Sequence, residues 1–120
     1  MRNLLIITLL FITSCANIEE RDKKRDLQSK IIRLISEKNK RYAACARENN
    51  IFKVTGKNRV KVDMQLTLNS DGKINKFEII NNMFADKFVD CMFNVTDLIA
   101  FPKLSENEVI ELTQPFIFKK

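Results

Sequence analysis

The sequence predicts an α+β domain of the order helix, strand, strand, helix, strand, with a three-stranded antiparallel sheet of order 2-1-3 and two helices on one face. Three observations predict it. Apolar residues recur at helical spacing in two separate stretches. Between them, from Val60, the period drops to two. Asp71-Gly72 then supplies the residues that a tight reversal needs.

The first helical stripe is Leu27, Ile31, Leu34, Ile35, Tyr42, Cys45 and Ala46. No Gly or Pro breaks the segment, so the pattern reads as one amphipathic helix to about Arg47, with Lys38 interrupting the stripe. Asn49, Asn50 and Gly56 then bound a loop. Val60, Val62, Met64, Leu66 and Leu68 alternate with Lys61, Asp63, Gln65 and Thr67, which is the pattern of a half-buried strand. A two-residue type I′ turn at Asp71-Gly72 sets Leu66 opposite Phe77 and Met64 opposite Ile79. A slip of one residue would destroy that apolar pairing. Ile74 and Ile80 have the opposite parity, so one of them marks a bulge or the end of the strand.

Phe88, Cys91, Met92, Val95, Leu98 and Ile99 share one face of a second helix, with Asp86 near its positive N-terminus and Pro102 ending it. Val109 to Thr113 reads as the last strand, with Ile110, Leu112, Phe116 and Phe118 on one parity. Pro115 argues for a sheet edge or for the end of the strand. A right-handed crossover places this strand beside the first and leaves the second and third strands as edges.

The N-terminus concerns address. Met1-Arg2-Asn3 is a short basic region, and Leu4 to Ile12 is apolar but for Thr8. Such a run is too short to span a bilayer and has the form of a secretory signal. Ile12-Thr13-Ser14-Cys15 resembles a bacterial lipobox, in which the Cys carries the lipid and becomes the first mature residue. The alternative is an ordinary signal with an incidental Cys. The lipobox reading divides the chain into a signal peptide (1–14), lipidated Cys15 with a short polar tether (15–26), and one domain (27–120). Ala16, in place of an Asp, favours the outer membrane of a Gram-negative envelope.

With Cys15 lipidated, two of the three cysteines remain, Cys45 and Cys91, an even number in an oxidising compartment. A disulfide is the natural reading, and two buried thiols are the alternative. Removal of Arg2 lowers the formal charge of +6 by one. Nucleic acid is not the expected partner of an exported chain whose basic N-terminal residues are interleaved with Glu19, Glu20, Asp22, Asp26 and Glu37.

The stretch from Thr67 to Glu78 also imitates a calcium-binding EF-hand loop through Asn69, Asp71, Gly72, Ile74 and Glu78. The strict alternation before it denies that loop its incoming helix, and only Asp71 and Glu78 carry charge, so no metal site is expected. The chain has no His, which excludes Ser-His-Asp and Cys-His catalysis. Cys45 and Cys91 lack C-x-x-C spacing, and neither an enzyme nor a cofactor is expected.

From about Ile35 to Phe118 the motifs resemble a TonB-type C-terminal domain of the AgmX/PglI subgroup. The resemblance rests on Cys45 and Cys91 in the two helices, the Val60/Val62 strand, the Asp71-Gly72-x-Ile74 turn, Phe101-Pro102, and the terminal Pro115-Phe116-x-Phe118. Tyr42 departs from the subgroup, which places Tyr directly after the Cys, and Lys57-Asn58-Arg59 is a longer spacer than usual. The resemblance implies a periplasmic protein-binding module that takes up a peptide strand at its last strand, with an accessory role on a motility or transport machine. The expected function is a lipid-anchored binding or assembly module of the bacterial envelope. It would engage an unidentified envelope protein through the edge that carries Val109, Glu111 and Thr113. The alternative is a non-catalytic structural lipoprotein that associates with peptidoglycan, and sedimentation with purified cell wall separates the two.

Overall fold

The computed structural model describes residues 21–80 and 83–120. Backbone contacts divide the chain into two compact units, Met1–Lys30 and Ile31–Lys120. The described part of the first unit, residues 21–30, is helical, and its side chains are mostly exposed. The signal peptide, Cys15 and most of the tether lie outside the described residues.

The helical stretch 21–36 (α1) is followed by α2 (Asn39–Glu48), α3 (Ile51–Thr55), β1 (Arg59–Leu68), β2 (Ile74–Ile79), α4 (Asp86–Asp97) and β3 (Ile110–Lys119). The sheet has the order β2-β1-β3 with every neighbour antiparallel, as the sequence predicts.

The single first helix is in fact two. The ladder is interrupted at Glu37 and Lys38, where Lys38 N–H donates to the Ile35 carbonyl, a three-residue spacing. Ser36 Oγ donates to the Ile32 carbonyl four residues back, a bond that bends helices. The interruption falls where Lys38 breaks the apolar stripe and leaves that cation half-buried, while Ile31, Ile35, Tyr42 and Cys45 on either side are fully covered.

The loop expected after Asn49 holds another helix, α3. Asn50 and Gly56, both left-handed, bracket it, and Ile51 inserts into the core. Five residues are too few to show a helical period, which is why the segment reads as loop.

In the hairpin the expected register holds, with Met64 opposite Ile79 and Leu66 opposite Phe77. The turn that produces it differs. Of the central pair only Gly72 has positive φ, so the reversal is not type I′. Gly72 N–H donates to the Asn69 carbonyl and Asn69 N–H to the Lys73 carbonyl, a three-residue loop with glycine last. Lys73 N–H also donates to Asp71 Oδ1. The longer loop would shift the register by one, and a bulge restores it: Leu68 faces Ile74 while Thr67 faces Lys76, leaving Asn75 as the extra residue. The two odd-parity isoleucines are thereby explained, Ile74 before the bulge and Ile80 exposed just past the end of β2.

Gly72 has a second reason to be glycine. A Cβ there would lie 2.8 Å from the Phe101 carbonyl oxygen and 3.0 Å from that of Pro102. Leu104 N–H donates to the Ser70 carbonyl, so the Phe-Pro segment lies directly on the hairpin tip.

The second long helix ends earlier than expected. α4 stops at Asp97, Leu98 caps it and is 63% exposed, and Pro102 follows in an irregular segment rather than terminating the helix. The last strand runs beyond Thr113 to Lys119, with Pro115 inside it and Val109 just before it.

The core lies between the sheet and the helices. Val60, Val62, Met64, Leu66 and Leu68 of β1 meet Tyr42, Cys45 and Ala46 of α2 and Phe88, Met92 and Val95 of α4, all buried. Each such aliphatic or aromatic side chain stabilises by about 1.5–3 kcal/mol. Cys45 and Cys91 form a disulfide between α2 and α4, with Cα atoms 5.7 Å apart. Cys45 is buried, whereas Cys91 is only half-buried and does not point wholly into the core.

Candidate partner-binding edge

β3 is an outer strand with β1 on one side and, among the described residues, no strand on the other. Its backbone polarity follows from two hydrogen bonds. Ile80 N–H donates to the Asp63 carbonyl, so odd residues of β1 direct their backbone groups to β2 and even residues direct theirs to β3. Lys120 N–H donates to the Asn58 carbonyl, so even residues of β3 face β1. The odd residues Glu111, Thr113, Pro115, Ile117 and Lys119 therefore turn their backbone groups outward.

Pro115 divides this edge. It has no N–H, and its carbonyl accepts a hydrogen bond from Gln114 Nε2 at 3.0 Å. At the midpoint the outward N–H is thus absent and the outward carbonyl already accepts one hydrogen bond, which weakens the pairing of an added strand there. Two short segments remain, Glu111 with Thr113 and Ile117 with Lys119.

The structure brings Glu111 and Thr113 together, opposite Thr67 and Gln65. They border a shallow polar depression of about 290 Å³ that also includes Lys76. Val109, 57% exposed, lies outside the strand and contributes no ladder position. Asp71 and Gly72 form the hairpin tip, while Glu78 stands in β2 opposite Gln65. Among the described residues no group of three or more His, Cys, Asp and Glu could hold a metal ion, and no helix is long and apolar enough to cross a membrane.

The second segment borders a larger feature that sequence reasoning missed. A groove of about 470 Å³ runs between α2, α3 and the last residues of β3. Ala43, Ala46 and Phe118 give it apolar surface, and Phe52 of α3 flanks it. Its charged lining residues are Arg47, Lys53, Lys119 and Lys120, with no carboxylate side chain. The groove depends on α3, and nothing in the periodicity announced that helix.

An aromatic cluster packs beneath β3. The Phe116 ring packs 4.7 Å from that of Tyr42 and stacks on Phe118, which in turn meets Phe88 edge-on. Tyr42 OH lies 2.7 Å from Thr96 Oγ1, and Thr96 Oγ1 lies 2.8 Å from the Met92 carbonyl. Either hydroxyl of the Tyr42–Thr96 pair can donate. Burial pushes the Tyr42 phenol up to about 12, against the smaller opposing effect of the Thr96 hydrogen bond. Thr96 is fully buried in the core, a role that only its place one turn after Met92 marks in the sequence.

No protein-family model, curated protein or solved structure matches the chain.

Proposed function

We propose that the chain is a lipid-anchored, non-catalytic protein-binding module of the bacterial envelope, attached through Cys15 and facing the periplasm from the outer membrane. It would engage a partner protein through the outer edge of β3. The observation that carries this reading is the outer edge of β3, unpaired among the described residues, in a small disulfide-closed domain. An open strand edge presents hydrogen-bonding groups ready for an added strand. The disulfide supports an oxidising address, because such bonds persist outside the cytosol. The Asp71-Gly72 turn and the Phe101-Pro102 segment on which the TonB-type resemblance rests lie against one another.

The test is site-specific photocrosslinking in cells. Crosslinkers placed at Thr113 and Ile117 are expected to trap a discrete partner that a crosslinker at Lys73, on the hairpin tip, does not. Changing Thr113 and Ile117 together to proline removes two outward N–H groups without touching the β1 ladder, and should abolish the capture. Identical products from edge and tip positions would refute the edge reading.

A further inference from the structure

We infer that the groove between α2, α3 and the end of β3 takes an extended acidic peptide segment of a partner protein, with an apolar side chain set against Ala43, Ala46 and Phe118. This inference rests on the edge-binding reading and narrows it to one segment of β3 and one ligand chemistry.

Three observations converge on the groove. The first is charge. Arg47, Lys53, Lys119 and Lys120 line it without a carboxylate side chain, so an anionic occupant is electrostatically matched and a basic one is repelled.

The second observation is the surface beneath the cations. Ala43 is small and only half-buried, which lets a ligand approach the α2 backbone, and half-buried Phe52 supplies aromatic surface beside the covered Ala46 and Phe118. A volume of about 470 Å³ admits large apolar side chains.

The third selects peptide over lipid. The groove is bordered by Ile117 and Lys119, whose backbone N–H and C=O groups face outward. A hydrocarbon chain would cover these groups without bonding them, at a cost, whereas an extended peptide pairs with them. Pro115 and the Gln114 amide weaken the available ladder on one side. The peptide therefore pairs over the short Ile117–Lys119 segment and draws the rest of its affinity from the groove and its cations. The Glu111–Thr113 segment carries an acidic residue instead of this basic rim and borders only a polar depression, so it does not suit the same ligand.

The experiment uses the full chain as bait for a display library of random short peptides. Selected peptides are expected to combine Asp or Glu with large apolar residues. Their affinity should fall at least tenfold, about 1.4 kcal/mol, with Arg47→Glu/Lys53→Glu and separately with Ile117→Pro, and stay unchanged with Thr113→Pro. Arg47 and Lys53 are exposed, so the charge reversal leaves the core intact, and circular dichroism verifies folding of each variant. Enrichment of neutral or basic peptides, no enrichment at all, or acidic binders indifferent to the reversal would each overturn the proposal. Binders lost with Thr113→Pro alone would overturn the groove and leave the edge reading standing. Binding to anionic phosphatidylglycerol vesicles through the same cations, with no peptide selected, would assign the groove to lipid headgroups and overturn it as well.

Discussion

The two ends of the β1–β3 ladder are built on opposite plans. At the hairpin end, Leu68 faces Ile110, the turn is closed by backbone hydrogen bonds, and Phe101, Pro102 and Leu104 lie against Ser70 and Gly72. At the other end, Arg59 faces Lys119, and a basic groove lies between α2, α3 and the last residues of β3. One end is closed by packing so tight that a single Cβ does not fit. The other keeps like charges together and backbone groups exposed. The contrast separates what this domain needs in order to fold from what it leaves free for a partner.

Both ends hang on the same centre, so the largest effect should come from removing the disulfide. Its loop spans 46 residues, and the Cys45→Ala/Cys91→Ala variant should lose about 4 kcal/mol in the chain-entropy account. Urea denaturation with and without reductant measures it, and a loss well under 1 kcal/mol would show that the α2–α4 packing holds alone.

Two glycines test the contrast between the ends directly. Gly56 and Gly72 both have positive φ, but a Cβ at Gly56 meets nothing within 4 Å whereas one at Gly72 meets two carbonyl oxygens. Gly56→Ala should cost about 1 kcal/mol, the left-handed strain alone. Gly72→Ala should cost about 3 kcal/mol, because backbone must also move. Equal losses would mean that the hairpin end yields as easily as the groove end.

Tyr42 tests the centre through pH. Its pKa is raised from 10.0 to about 12 in the folded state. The folded state therefore holds the proton more tightly than the unfolded chain. The stability this contributes is fully present below about pH 10 and is lost as pH rises through about 12. The decline should amount to about 2–3 kcal/mol over that window and vanish in Tyr42→Phe, which loses the Thr96 hydrogen bond at all pH values. The chain has one tyrosine, so ultraviolet absorbance follows the group alone, and an ordinary phenol titration near pH 10 in the folded protein would contradict this account.

The smallest effect is the most specific to the open end. Lys119→Glu replaces a repulsive cross-strand pair with an attractive one and should raise stability by about 0.5 kcal/mol, while weakening the acidic peptides selected by the wild-type chain. A substitution that stabilises the fold and harms binding would locate function at that end. Unchanged binding would remove Lys119 from the groove's recognition.

Legibility in the sequence followed the strength of local pattern. The β1–β2 register could be read because Met64, Leu66, Phe77 and Ile79 meet on one face in only one alignment. The turn that delivers it was misread, because a two-residue loop and a three-residue loop with a bulge at Asn75 end in the same register. The break at Lys38 was visible as an interruption of the stripe but not as a helix end, since no Gly or Pro accompanies it. Within the candidate site, the outer position of the last strand followed from the crossover rule, but Val109, expected in that strand with Glu111 and Thr113, lies just before it. The groove was not legible, because Ala43, Phe52 and Lys119 come from three elements, one of them too short to leave a period.

By itself, the sequence determined the three strands, their pairing and the regions that form the two long helical segments, because alternation, parity and helical spacing act locally. Only the tertiary structure decided that Pro115 and Gln114 divide the outer edge, that Gly72 has no room for a side chain, and that four cations gather around one apolar groove. Those are facts of proximity between residues distant in the chain, and proximity is fixed by packing rather than by any period along the sequence.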